Sequence, residues 1–217
     1  MIAQIATIPD RVHLLEKTVN SLLPQVDKLN IFLNGHEDIP LFLKHEKINY
    51  RVLDNSLADG AKLIVRDKGY IFLCDDDLIY PQGYCQYMIG KFNEYDRKHV
   101  ITLHGRVMQE KPVGSYYRDK TKTAHCLLDL DKDMFVDVGG TGVMLFHTDQ
   151  LLPDTSELEK YPFMADIHMA KSCYKKGIKI MAVHHKMDWL RYQIPETTIW
   201  DTHSENDVKQ TELINSF

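Results

Sequence analysis

The chain has 217 residues, of which 44% are hydrophobic and 26% are charged, and its formal net charge is -5 at pH 7. This composition is ordinary for one globular domain with a substantial core. The negative charge, without a dense Lys/Arg tract, argues against a nucleic-acid-binding protein, and no segment approaches the roughly 18 apolar residues that span a bilayer.

The first residues and the cysteines both favour a cytoplasmic protein. The start of the chain, MIAQIATIPD, lacks the basic segment and the long apolar run of a signal peptide. The four cysteines are scattered and form no CxxC pair, which is typical of reduced thiols rather than of a disulfide frame or a zinc site. They are Cys74, Cys85, Cys126 and Cys173.

Strand and helix signals alternate through the first 80 residues. A helix of apolar residues at helical spacing follows Asp10 and is ended by Pro24. Asp59 is predicted to be the N-cap of a short helix with Gly69 at its exit. This alternation predicts a parallel sheet with right-handed crossovers. The predicted strands are 1–8, 28–33, 48–53 and 70–74, and the predicted helical segments are 11–23, 41–45 and 55–69.

The second half of the chain predicts further strands and helices around one irregular segment. Residues 105–125 show no convincing period, and a loop of this length in a compact domain is usually functional or mobile. From residue 195 the sequence turns polar, so we expect a main domain at 1–194 and a polar tail or linker at 195–217. The predicted helices are 82–98 and 162–176, and the predicted strands are 99–103, 134–138, 143–146 and 178–183.

The strongest local signal is the segment 69–81, GYIFLCDDDLIYP. An apolar run typical of a buried strand ends abruptly in Asp75, Asp76 and Asp77. Crowded carboxylates need a cation or hydrogen-bond donors, and a divalent metal takes oxygen ligands together with substrate phosphates. The alternative is an exposed acidic turn, with Asp77 as a helix cap. Three carboxylates after one buried strand favour the metal and phosphate site.

Several polar residues are predicted to join the acidic cluster at one edge of the sheet, because open α/β sheets bind ligands at the carboxyl ends of their strands. Arg11 and Lys62 are suitable cations for a pyrophosphate, although either alone is more often a solvated side chain. Asp54 or Asp75 can accept hydrogen bonds from a ribose or a base. The residues placed at this edge are Thr7, Arg11, Asn34 and Asp54.

Five segments in order give the chain a resemblance to a known family. It resembles the inverting glycosyltransferases of family 2 with the GT-A fold, over most of residues 1–190. The resemblance implies a Rossmann-like three-layer α/β sandwich with a mostly parallel central sheet flanked by helices. It also implies sugar transfer from a nucleotide-diphosphate sugar, most often a UDP-sugar, to a glycan acceptor hydroxyl. The segments are ATIPDRVHLLEKTVNSLLPQ, ADGAKL, CDDDLIYP, GGTG and PFMADIHMAKSCYKKGIKI.

The resemblance also implies roles for single residues at the nucleotide end of the site. The region after the first strand, including Pro9, would hold the nucleotide base. Asp77 would be a direct ligand of Mn²⁺ or Mg²⁺, and Asp75 a ribose contact or a further metal carboxylate, with Asp76 beside them. His184 would be a further metal ligand, although a lone histidine is more often structural.

At the acceptor end, the resemblance implies a catalytic base and a sugar site. The usual Glu-Asp motif is replaced by Ala165-Asp166, and Asp166 would be the general base for an inverting in-line attack. Alternatively, Asp166 is a structural residue at the start of a helix, where the helix dipole favours a carboxylate. Gly139, Gly140 and Thr141 would line the sugar site, or form a simple hairpin turn. Trp189 would stack on an acceptor sugar, or close the core.

Three other functions remain open on the sequence alone. A retaining GT-A enzyme would not need Asp166 as a base. A sugar-phosphate nucleotidyltransferase shares the layered plan, but its Gly-rich loop is missing from TIPDR. A binding domain for nucleotide or carbohydrate without turnover is the non-enzymatic alternative. The chain also resembles the N-terminal domain of multidomain glycosyltransferases of chlorella viruses, which implies fusion to further transferase domains and a place in the host cytoplasm.

Overall fold

The computed structural model describes residues 1–196, 198–199 and 205–217. Its helices are α1 (Val12–Leu22), α2 (Tyr84–Glu94), α3 (Ala165–Lys176) and α4 (Val208–Ile214). Its strands are β1 (Ile2–Thr7), β2 (Lys28–Asn34), β3 (Ile48–Leu53), β4 (Tyr70–Cys74), β5 (Leu78–Ile79), β6 (Val100–Thr102), β7 (Gly105–Met108), β8 (Lys120–Ala124), β9 (Met134–Val136), β10 (Val138–Gly139), β11 (Val143–His147), β12 (Ile180–Ala182) and β13 (Arg191–Tyr192).

An eight-stranded sheet in the order β3-β2-β1-β4-β11-β6-β12-β9 forms the centre of the molecule. The first four strands in this order run parallel, as do β6 and β12, while β11 and β9 are antiparallel to their neighbours. Two small sheets, β10-β7-β8 and β13-β5, lie beside it. The prediction of a mostly parallel central sheet flanked by helices is therefore confirmed.

Helices cover both faces of this sheet and give it two apolar cores. α1 and α2 bury residues such as Leu15, Val19 and Met88 against one face. α3 and α4 bury residues such as Ile167 and Leu213 against the other. The spacing of apolar residues in 11–23 is the pattern that lets one stripe of α1 face the sheet. The result is the predicted three-layer sandwich.

The segment 105–125 is not the loop that its sequence predicts. β7 and β8 form an antiparallel pair, with Gly105 opposite Ala124 and Arg106 opposite Thr123. Four of the five residues of β8 are exposed, so the strand needs no alternating apolar pattern and gives no signal for one. This hairpin forms one wall of the cleft described below.

Two predicted helices are shorter than expected. The segment 55–69 contains only a 3-10 helix, Ala58–Leu63, and Gly69 lies directly before β4 rather than at the helix exit. α2 ends at Glu94 and not near residue 98, because Asp96 and Arg97 adopt positive φ angles. The backbone conformation after each helix, rather than its apolar pattern, sets these ends.

The C-terminal segment packs on the domain where the structure describes it. Leu213 and Ile214 of α4 are fully buried, and the Asn215 side chain exchanges two hydrogen bonds of 2.9 Å with the Val113 backbone. This differs from the expected polar tail. Residues 197, 200 and 201–204 of the predicted tail lie outside the described residues, and a link to a further domain stays a prediction. Within the described part of the chain, no helix has the length and apolarity needed to cross a membrane.

Candidate active site

A cleft of about 660 Å³ opens where β1 and β4 end. Its walls come from the chain after these strands, the 3-10 helix Ala58–Leu63, the β7–β8 hairpin, and the start of α3. The structure brings ten of the predicted site residues to this cleft. They are Thr7, Arg11, Asn34, Lys62, Asp75, Asp76, Asp77, Gly140, Thr141 and Asp166.

The three adjacent carboxylates after β4 are held by two cations. Arg11 Nη1 lies 3.0 Å from Asp76 Oδ1 and 3.4 Å from Asp77 Oδ2. Lys62 is only 3% exposed, and its Nζ pairs with Asp75 Oδ1. The two residues predicted to bind a pyrophosphate therefore already contact the acidic cluster. A buried lysine keeps its charge only with such partners, and the pKa of Lys62 is raised because Asp75 and nearby carboxylates outweigh the effect of burial.

The acidic segment is fixed from α1 as well as by these ion pairs. Thr18 Oγ1 lies 2.9 Å from the carbonyl oxygen of Asp76 and 2.7 Å from that of Leu78. Asp76 is 3% exposed and faces Arg11 and the Thr7 hydroxyl. Asp76 therefore helps to hold this turn in place, and it lines the cleft together with Asp75 and Asp77.

Asp77 carries the least compensated charge of the cluster. Its pKa is raised to about 7, mainly by burial and also by the neighbouring carboxylates of Asp75 and Asp76, against the effects of Arg11 and Lys62. Burial also raises the pKa of Asp76, against the effect of Arg11. A further cation beside these groups would lower both pKa values.

Gly142 allows the backbone to pass under the Asp75 carboxylate. A Cβ at position 142 would lie 2.0 Å from Asp75 Oδ2. Tyr80 locks the same region, because its hydroxyl donates to the Gly142 carbonyl at 2.5 Å and accepts from the Asp75 N–H at 2.9 Å. The glycine-rich segment thus contacts the acidic cluster directly through Gly142, which follows the predicted site residues Gly139, Gly140 and Thr141 in the sequence.

Asp166 lies in the first turn of α3 and is oriented by Thr141. The N–H and the hydroxyl of Thr141 both donate to Asp166 Oδ1, each at 2.7 Å. Within the described residues, no hydrogen bond reaches Oδ2, and Asp166 lines the cleft. One oxygen of this carboxylate is therefore held in place, and the other is available to a ligand.

Asp59 is a cleft residue whose role the sequence did not reveal. It does not cap its own 3-10 helix; its Oδ2 accepts a 3.2 Å hydrogen bond from Ala165 N–H at the start of α3. Its Oδ1 is buried and has no hydrogen-bond partner among the described residues. Burial raises its pKa to about 6, with Asp166 adding to the rise and Lys62 opposing it. The contact spans 106 residues of chain, so no local pattern predicts it.

Arg106 also lines the cleft and was not predicted. Its guanidinium stacks on the rings of Tyr116 and Tyr117, at 4.5 Å and 5.5 Å from their centroids. Its Nη1 atom is buried without a hydrogen-bond partner, and no carboxylate of the described residues pairs with it. A guanidinium fixed by aromatic rings and lacking an acceptor is suited to bind an anionic or oxygen-rich ligand.

Five predicted site residues lie away from the lining of the cleft. Pro9 and Asp54 are exposed, and Asp54 accepts a 3.0 Å hydrogen bond from the Ser56 N–H. Gly139 is packed inside the sheet, where a Cβ would meet Ile180 at 2.7 Å. The other two are His184 and Trp189.

His184 and Trp189 belong to a separate aromatic cluster on α2. His184 Nδ1 lies 2.7 Å from Asp133 Oδ1, and its carbonyl accepts from the Tyr87 hydroxyl. Trp189 packs against Tyr84 and Tyr87, with ring centroids 6.0 Å and 5.0 Å away. Both residues therefore take the structural role that the sequence left open for them.

The charge of the cleft fits a divalent cation. Among its described lining residues, five carboxylates face three cationic side chains, an excess that one divalent ion would balance. Mn²⁺ and Mg²⁺ prefer carboxylate oxygens and keep part of their coordination for water and phosphate. Asp75, Asp76 and Asp77 do not converge as a preformed three-ligand group among the described residues. The cleft therefore fits an ion that binds together with a phosphate ligand.

Comparison with known proteins places the fold but not the family. No family model and no curated protein sequence matches the chain. Among solved structures, the crystal structure of residues 1–349 of TarS, a glycosyltransferase of S. aureus, superposes with a TM-score of 0.54 at 9% identity. The match covers 86% of this chain and 58% of the TarS chain. This likeness shows a glycosyltransferase-like fold, while family 2 and the viral resemblance stay predictions.

Proposed function

We propose that this protein is a metal-dependent glycosyltransferase that moves a sugar from a nucleotide-diphosphate sugar to an acceptor hydroxyl. One observation carries the proposal: the cation-held acidic cluster Asp75–Asp77 and the oriented carboxylate of Asp166 line the same cleft. Sugar transfer needs these two features together, since a phosphate leaving group must be stabilised while an acceptor loses a proton.

The nucleotide binds at the edge formed by β1, β2 and the 3-10 helix Ala58–Leu63. Thr7 and Asn34 are buried here, and Asn34 Nδ2 donates to the Ala58 carbonyl at 2.8 Å. Asn34 Oδ1 is buried and has no hydrogen-bond partner in the described part of the chain, so it supplies an acceptor for the base or the ribose. We keep UDP as the proposed nucleotide, on the resemblance given by the sequence alone.

The diphosphate lies against Asp75, Asp77 and Lys62. A bound Mn²⁺ or Mg²⁺, held by Asp77 and Asp75, supplies Lewis-acid stabilisation of the charge that develops on the leaving phosphate. Lys62 adds a positive charge fixed within the wall of the cleft, which stabilises the same developing charge. A cation beside Asp77 would stabilise its charged form, which burial and the neighbouring carboxylates of Asp75 and Asp76 disfavour.

Asp166 accepts the proton of the acceptor hydroxyl. Thr141 holds Oδ1 with two hydrogen bonds, so Oδ2 is directed at the ligand without a rotameric search. The acceptor oxygen attacks the anomeric carbon as the bond to the phosphate oxygen breaks, which inverts the anomeric centre. A positioned general base of this kind contributes about 10²–10⁴-fold to a rate.

The test is product formation from a panel of UDP- and GDP-sugars in the presence of Mn²⁺. The release of the nucleotide is the quantity measured. We expect release from one nucleotide class, dependence on the metal, and a loss of about 10²-fold or more in Asp166→Asn. The anomeric configuration of the product, read by nuclear magnetic resonance, separates inversion from retention. Nucleotide binding without release from any sugar, with or without acceptor sugars, would instead favour the inert binding domain.

A further inference from the structure

A group of three side chains in the β7–β8 wall of the cleft is not used by the proposed reaction. His104 lies between β6 and β7, and His125 and Cys126 follow β8. One imidazole nitrogen from each histidine and the Cys126 sulfur all lie within 4.8 Å of one another. All three residues line the cleft. We propose that they form a binding site for a borderline-soft divalent ion such as Zn²⁺, separate from the acidic cluster.

The register of the β7–β8 hairpin explains why the two histidines meet. Gly105 pairs with Ala124, so the next pair of positions beyond the ladder joins 104 and 125. Directly opposed side chains on an antiparallel pair lie about 5 Å apart. The ring centroids of His104 and His125 are 5.1 Å apart, in agreement with this geometry.

A turn brings the third donor to the same side. In a continued strand, Cys126 would point away from His125, because successive side chains alternate. The chain instead turns at this point, and the Leu128 N–H donates to the His125 carbonyl at 2.9 Å. Cys126 therefore approaches the two rings instead of facing away from them.

The three donors are available to an ion. Among the described residues, no hydrogen bond reaches the His104 ring, and His125 Nδ1 accepts only a long one, 3.3 Å, from the Leu127 N–H. The carbonyl of His104 accepts from the Thr102 hydroxyl at 3.0 Å and from the Gly140 N–H at 2.8 Å, so its backbone is fixed.

The donor types select the ion. Two imidazoles and one thiolate suit Zn²⁺, whereas Mn²⁺ and Mg²⁺ prefer the oxygens of the acidic cluster. Binding replaces the S–H bond of Cys126 by an S–Zn bond and releases that proton to solvent. If Nε2 of His125 is the ligand, its proton moves to Nδ1 and the long bond from Leu127 is lost.

The site would also stiffen one wall of the cleft. Three protein donors leave the fourth position of a tetrahedral ion open, and the residues that supply them line the cleft. An ion here would tie the chain after β8 to the start of β7, which also carries Arg106. The sequence has no CxxC pattern that would indicate such a site, because these ligands are brought together by strand pairing rather than by spacing.

Cobalt titration of the metal-free full chain tests this site. Co²⁺ reports a thiolate ligand through a sulfur-to-cobalt charge-transfer band, and Zn²⁺ should displace it. We expect one Co²⁺ per chain with this band, its loss in Cys126→Ser, and an affinity lowered at least tenfold in His125→Gln. His125 is exposed, so this second variant keeps the fold even if Cys126→Ser does not.

Two control variants separate this site from its surroundings. Asp77→Asn replaces the proposed carboxylate ligand of the acidic cluster by a neutral amide, and His184→Gln removes a histidine outside the cleft; both should keep the cobalt band. Absence of the band in the wild type, its persistence in Cys126→Ser, or its loss in Asp77→Asn would each overturn the proposal. None of these readouts requires nucleotide or activity, so the result is independent of the proposed glycosyl transfer.

Discussion

The backbone of Gly142 lies directly beneath the carboxylate of Asp75, so close that a Cβ at position 142 would be 2.0 Å from Asp75 Oδ2. Asp75 in turn pairs with the buried Lys62. A methyl group at this point must displace the carboxylate and disturb its ion pair. The position of one glycine therefore controls the geometry of the acidic cluster.

Gly142→Ala should impair the site more than the fold. The group in the way is the end of a side chain that is 44% exposed, so it can turn into solvent, but Asp75 then no longer faces the bound phosphate and leaves its ion pair with Lys62. We expect metal-dependent nucleotide affinity to fall about tenfold or more, and the thermal midpoint to fall as well, because buried Lys62 loses a carboxylate partner. Isothermal titration and thermal unfolding measure the two effects.

Gly90→Ala is the matched control for this glycine. Gly90 lies in α2 and a Cβ there meets nothing within 4 Å. Alanine should stabilise the helix by roughly 0.5–1 kcal/mol and leave nucleotide binding unchanged. Equal loss of binding in both variants would mean that the effect of Gly142→Ala is not local.

Asp166→Asn should reduce turnover and spare nucleotide binding. The asparagine keeps an oxygen for the Thr141 donors but cannot take the proton from the hydroxyl group of the acceptor sugar. We expect kcat to fall about 10²–10⁴-fold with little change in the dissociation constant for the nucleotide. Thr141→Val, which loses only the hydroxyl donor to Oδ1, should give a smaller loss of kcat. Wild-type kcat in Asp166→Asn would remove its role as the base.

Asp59 should make the stability of the metal-free protein depend on pH. Its pKa rises from 3.8 to about 6 on folding, because burial disfavours the charged form. The folded state then binds more protons than the unfolded state between these values, so this contribution to stability is lost as the pH rises from about 4 to 6. In Asp59→Asn the contribution is absent.

The measurement is urea unfolding of wild type and Asp59→Asn across this pH range, with chelator present. Relative to the wild type, the free energy of unfolding of the variant should increase by on the order of 2 kcal/mol as the pH rises from 4 to 7. The test compares how the difference in unfolding free energy changes with pH. Its absolute value is not used, because losing the charge beside Lys62 changes the stability of the variant at every pH. A difference that is flat with pH would contradict the raised pKa.

Arg106→Gln should weaken substrate binding. The guanidinium has a buried nitrogen without an acceptor, and a charged hydrogen bond to a ligand is worth about 1.5–3 kcal/mol. We expect KM for the donor or the acceptor to rise about 10- to 100-fold. The control is Arg97→Gln, because Arg97 also lies over two aromatic rings, at 5.8 Å from each, but outside the cleft. Equal effects of both substitutions would argue against a role of Arg106 in binding.

The sequence predicts the parts of this fold that are set by local patterns. The strand Ile48–Leu53 has the predicted bounds, and the run before Asp75 is the buried central strand β4. In the structure, Arg11 and Lys62 both contact the acidic cluster. Buried parallel strands and amphipathic helices are encoded by short-range periodicity, so these elements can be recognised without the structure.

The contacts that the sequence missed all depend on long-range pairing. Arg106 and His125 reach the cleft through an exposed hairpin that has no apolar alternation. Asp59 contacts the start of α3 rather than its own helix. His184 follows β12 as predicted but turns to Asp133, because the direction of a side chain after a strand end is set by its neighbours. Residue type and order alone do not determine these orientations.

The central claim is tested most directly by calorimetric titration of UDP and GDP into wild type and Asp77→Ala, each with Mn²⁺ and with excess chelator. We predict that one nucleotide binds only with Mn²⁺, and that Asp77→Ala loses this binding while His184→Gln retains it. If neither nucleotide binds wild type under any condition, the glycosyltransferase account is contradicted, and Asp75–Asp77 are an ion-paired acidic turn in a fold with another task.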